Sequence, residues 1–136
     1  MRTALLSTAG ILFVAGVVLA ADGAKVEPRY DPAASIEVKA TINEVREVPD
    51  GDVMAGLHLI VKTETETFDV YVGPTDFVKE FGGNYAKDDK VQVTGCRVKQ
   101  ETGDIILARE VKEGELALVV RDKDGTPNWK YWKKAK

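Results

Sequence analysis

The sequence predicts an all-β fold with one short helix: a small barrel of five strands, with the helix between the third and fourth, plus an extra C-terminal strand. Three observations predict it. Between residues 35 and 121 apolar and polar side chains alternate with period two through most of the segments, which is the pattern of half-buried strands. Turn-forming residues separate those segments at 49–52, 73–76, 82–83, 100–104 and 122–125. A single stretch, following Pro74, spaces its apolar residues as a helix does.

The chain opens with the three parts of a secretory signal. Arg2 supplies the positive charge, residues 4–19 carry none and are largely apolar, and Val18-Leu19-Ala20 offers small residues for cleavage after Ala20 or Ala21. The apolar run falls short of the roughly 20 residues that span a bilayer, so cleavage is expected rather than anchoring, with no transmembrane segment left afterwards. The expected organisation is a signal at 1–20, an extended lead-in at 21–34, a barrel domain at 35–121 and a basic, Trp-rich tail at 122–136. The expected location is the periplasm or the extracellular space.

The first strand is expected at 35–48. Ile36, Val38, Ala40 and Ile42 share one side, Glu37, Lys39, Thr41 and Asn43 the other. Val45 breaks the phase, which places a bulge or bend near Asn43–Glu44. Pro49-Asp50-Gly51-Asp52 turns the chain into a second strand at 53–62, where Leu57, Leu59 and Val61 oppose His58, Ile60 and Lys62. A third strand at 67–72 alternates Phe68, Val70 and Val72 with Asp69 and Tyr71.

Pro74 and Asp76 suit the first turn of a helix. Phe77, Val78 and Phe81 give it one apolar face, and Gly82-Gly83 stops it. So short a helix is held by docking, and Phe77 with Phe81 is expected to plug the open end of the barrel. The fourth strand is expected at 90–99, the fifth at 105–112 and a shorter sixth at 115–121.

The complete chain has 19 basic and 22 acidic residues. Loss of the leader removes Arg2, leaving 18 against 22 in 116 residues, a net charge of −4. That is one domain's worth of chain, without a global attraction for phosphate polymers. Cys96 is the only cysteine. It excludes an intrachain disulfide and a cysteine-based zinc site, and leaves a buried strand residue or a disulfide dimer.

Val91-Gln92-Val93-Thr94-Gly95 resembles the fourth-strand V-x-V-x-G pattern of OB-folds. With the leader and the order of elements, the chain resembles the bacterial periplasmic OB-fold proteins. The resemblance implies a binding scaffold. Ala40 stands where OB-folds often place a glycine in the first strand, and the sixth strand and tail exceed the minimal barrel.

On such a scaffold the usual ligand face is that of the second and third strands. The candidates there are His58, Lys62 and Tyr71, with Arg97 and Lys99 as neighbours. His58, the only histidine, lacks a nucleophile motif around it, so no catalytic residue is assigned and the chain is not read as an enzyme. Asp50-Gly51-Asp52 and Asp122-Lys123-Asp124-Gly125 are explained by turn formation, and no metal or cofactor is expected. In the tail, Trp129, Lys130, Tyr131 and Trp132 combine aromatic rings with cations. They suit a partner contact, or the tryptophans fold back as a lid. The expected function is binding of a small ligand or an envelope protein. The alternative is single-stranded nucleic acid, which the acidic balance and the acidic loops at Asp50, Asp52, Glu101 and Asp104 oppose.

Overall fold

The structure, a computed structural model, describes residues 28–100 and 103–132. The expected leader, and the lead-in up to residue 27, lie outside the described residues. The six expected strands and the helix are present in the expected order: β1(Ser35–Val48), β2(Gly56–Lys62), β3(Thr67–Gly73), α1(Thr75–Glu80), β4(Lys90–Val98), β5(Ile105–Glu113) and β6(Leu116–Val119). Short 3-10 turns occupy Pro32–Ala34 and Asn128–Tyr131.

The sheet runs β3-β2-β1-β4-β5-β6, and β3 also pairs with β5, which closes the first five strands into a ring with β6 on the outside. All neighbours are antiparallel except at that closure, where Asp69, Val70 and Tyr71 run parallel to Ile105, Ile106 and Leu107. β1 carries the ring. Ser35–Thr41 pairs with β4 and Thr41–Val48 with β2, so this one strand serves two neighbours in succession. Its register slips between Ile42 and Glu44, making Asn43 the extra residue of a bulge, where the change of phase at Val45 places it. Bulges raise local twist, and here the bulge lets a 14-residue strand bend around the ring.

The inside of the ring is filled by the inward side of each strand, including Ile42, Leu59, Val61, Val70, Val72, Val93, Ile106 and Val111. A second apolar cluster lies on the outside of the β3–β5 closure. It comprises Tyr71, Ile105 and Leu107, with Tyr30, Met54, Val98 and Trp129 packed over them. This outer layer changes the reading of β2, which is buried on both faces from Gly56 to Leu59.

Two boundaries differ from expectation by more than a single residue, and one packing contact differs as well. β2 begins at Gly56 because Asp52 holds the turn, accepting from the Met54 N–H through its side chain and from the Ala55 N–H through its carbonyl. β6 is limited to four residues. In α1, Phe77 and Val78 are buried, but Phe81 is 51% exposed and only tilts against Phe77 at 4.9 Å between ring centroids. The plug is therefore Phe77 alone among the two phenylalanines, and its other ring neighbours are Trp129 and Trp132.

Candidate functional site

His58 and Tyr71 meet, as cross-strand neighbours on β2 and β3, with ring centroids 5.1 Å apart. Their polar atoms are engaged. His58 Nδ1 lies 2.7 Å from Asp69 Oδ1, and Nε2 lies 2.7 Å from the Met54 carbonyl oxygen. A carboxylate and a carbonyl only accept, so satisfying both requires both ring nitrogens to donate, which is the imidazolium. Burial, the largest influence, pushes the His58 pKa down. The Asp69 hydrogen bond, the Met54 carbonyl and the Asp69 charge together outweigh it, and the pKa rises above the ordinary histidine value. Tyr71 Oη donates to the Ala55 carbonyl at 3.0 Å. Both side chains thus fasten the loop that joins β1 to β2, and His58 is only 4% exposed.

The remaining candidates disperse. Arg97 donates to Asp104 at 2.7 Å and to Glu66 at 3.1 Å, and lies over the Phe68 ring. It clips the β4–β5 hairpin to the β2–β3 turn. Lys99 is exposed just beyond the end of β4. In the tail, Trp129 and Trp132 pack against the core, whereas Lys130 and Tyr131 face outward, Tyr131 at 76% exposure. The Trp129 ring lies so close over Gly73 that a Cβ there would stand 2.8 Å from it. Cys96 is free and 1% exposed, its sulfur accepting from the Asp31 N–H.

Lys62 belongs to a different place, a cleft of about 720 Å³ on the outer surface of β2, β1, β4 and β5. Pairing register builds it. Thr41 is in register with Lys62 on one side and Lys90 on the other. One step along the same face, Gln92 is in register with Lys39 and Lys112. Each of four adjacent strands therefore contributes one lysine to two facing rows, and all six residues line the cleft. Asn43 of the bulge, Thr63 and Glu64 complete its rim.

Successive lysines in the series Lys62, Lys39, Lys90, Lys112 are diagonal neighbours across strand pairs, about 7–8 Å apart by sheet geometry. Two ammonium groups held at the spacing of their backbones would repel by roughly 0.5 kcal/mol even in bulk water. Among the described residues, no ion pair reaches any of the four. Three nearby acids have other contacts. Glu37 accepts from the Gln92 amide, Asp89 accepts from the Ala86 N–H, and Glu113 forms a hydrogen bond with Asp89 when one of the two carboxyls is protonated. Burial first, then that hydrogen bond and the Asp89 charge, raises the Glu113 carboxyl above its ordinary pKa.

A model of one protein family matches residues 35–118, from the first residue of β1 to the third of β6. The chain belongs to the MamS/MamX magnetosome protein family. No curated protein matches the chain. The span shared with this magnetosome family contains His58, Tyr71 and all four cleft lysines, and ends before the tryptophans of the tail.

Of the cleft residues, the sequence singles out Lys62 alone. Lys39, Lys90 and Lys112 lie more than 20 residues apart along the chain and form no local motif. The signal that finds them is register: once the ring order is known, the outward positions of neighbouring strands can be aligned. What results is a concave surface with four ammonium donors, the Thr41 hydroxyl and the Asn43 amide, the equipment for holding an anion.

Proposed function

We propose that this member of the magnetosome family is a non-catalytic binding module of the OB type, exported by its leader to the envelope compartment, with the lysine cleft as its ligand face. The observation that carries the reading is the convergence of Lys39, Lys62, Lys90 and Lys112 around Thr41 and Gln92, without ion-pair partners among the described residues. The cleft's volume is in the range of small-molecule sites. The sole histidine supports the non-catalytic reading, because both its nitrogens are committed to the loop before β2. A small ligand ranks above single-stranded nucleic acid: the described lining has no aromatic side chain for bases to stack on.

The test is chemical-shift mapping of the ¹⁵N-labelled mature protein against a mixture of anionic, neutral and cationic fragments. The expected result is perturbation of the Thr41, Lys62 and Gln92 amides, with the bound compound recovered chemically unchanged. Perturbation confined to Tyr131 and Phe81, or conversion of the compound, overturns the reading.

A further inference from the structure

We infer that the ligand of the cleft is a phosphate-type oxyanion carrying two or more negative charges. This rests on the reading of the cleft as the ligand face and adds the chemistry of what fills it. The first ground is charge count. Four ammonium groups line one cleft, and Glu64 is the acid among its described lining residues. A monoanion answers one of them; a multivalent oxyanion answers several at once.

The second ground is geometry. Lys62 and Lys90 flank Thr41 at two strand spacings, roughly 9–10 Å between backbones, and Lys39 and Lys112 flank Gln92 in the same way. The lysine stems are long enough to close on a common centre from both sides. Lysine acts on phosphate as a flexible point charge, so this arrangement suits an anion offering oxygens in several directions. It suits a flat carboxylate less, for which the planar fork of arginine is the better match, and no arginine lines the cleft among the described residues.

The third ground is the neutral donors. Thr41 brings a hydroxyl to the same wall, and Asn43, outward by the same alternation as Lys39 and Thr41, brings an amide. The sheet also separates charge by row. Beyond Lys39, Gln92 and Lys112, the next outward row is Glu37, Thr94 and Glu110. The acidic row bounds the site and confines an anion to the lysine end.

Inorganic pyrophosphate is the probe, titrated by calorimetry into the mature protein at low salt. Saturable binding is expected, about tenfold weaker in Lys39→Gln and again in the Lys39→Gln/Lys90→Gln double variant. Lys99→Gln, outside the cleft, should leave it unchanged. These side chains are exposed, and circular dichroism confirms that each variant is folded. Sedimentation with phosphatidylcholine vesicles, with and without phosphatidic acid, identifies the source. Cleft-dependent binding only to the acidic vesicles marks a lipid headgroup, and binding of soluble pyrophosphate alone marks a free phosphate compound. If a neutral fragment perturbs the cleft amides while pyrophosphate does not, the oxyanion is wrong and the ligand face stands. If nothing perturbs those amides, both fail.

Discussion

Lys62 of β2 and Lys90 of β4 stand on opposite sides of Thr41, each in direct register with it. Thr41 is the residue at which β1 passes from one neighbour to the other, so the two cations meet because a single strand is shared. An arrangement that gathers like charges on one surface opposes folding slightly, and it is useful when something negative settles there.

That opposition is measurable. Replacing Lys39 by Gln removes two of the three diagonal repulsions, those with Lys62 and Lys90. The ligand-free protein should become more stable by a few tenths of a kcal/mol, read as a higher urea midpoint at low salt. The gain should shrink in high salt, where exposed charges are screened. An unchanged or lower midpoint at low salt contradicts the repulsion.

Glu64 is the acid on the rim. Glu64→Gln should strengthen pyrophosphate binding a few-fold, opposite in sign to the lysine variants and with little change in stability. The comparison of dissociation constants for the two classes of variant checks this.

His58 makes stability depend on pH. Its folded pKa lies above the ordinary value of 6.5, so the folded state binds a proton that the unfolded chain releases. The contribution is complete below 6.5 and is lost as pH rises from there through the folded pKa. Urea midpoints should decline across that window in the native protein and stay flatter in Asp69→Asn. In that variant the ring resonances should titrate at lower pH, because burial then meets less opposition. His58→Ala should cost about 2–4 kcal/mol without weakening pyrophosphate binding, since the clamp lies apart from the cleft.

The tail is anchored through Gly73. In Gly73→Ala the new Cβ would meet the Trp129 ring at 2.8 Å, so the indole must lift or the strand must shift, at about 1–3 kcal/mol. Tryptophan emission should move to longer wavelength as the ring gains solvent. A native spectrum in a fully stable variant would show that the ring does not rest there.

Much of the fold is legible in the sequence, and the reason is local. β1 shows its alternation, its bulge and its turn within 18 consecutive residues, and the structure gives it the expected bounds. The ligand face is less legible because alternation records which side a residue takes, not what later covers that side. His58 and Tyr71 occupy outward positions, as read, but Tyr30 and Trp129 come from distant parts of the chain and, with Met54 of the adjoining loop, roof over that region. The exposure of Phe81 likewise follows from how the tail packs: Trp129 and Trp132 take the places beside Phe77. The cleft is hidden for the converse reason. Its lysines look like ordinary solvated strand residues until register sets them side by side.

The ring is joined at one short seam, the three parallel pairs of β3 with β5. Every other strand pair in the ring is antiparallel and longer, so the seam has the fewest backbone links and joins segments more than 30 residues apart. Such pairings are costly in loop-closure entropy, and the pairing of β1 with β4 spans still more of the chain but is longer. The two hairpins are held chiefly on β1, and the short seam adds the least to that hold. The same seam is the natural place for the closed ring to breathe. Amide protons at Val70 and Ile106 should exchange ahead of those at Val93, although all three side chains are equally buried.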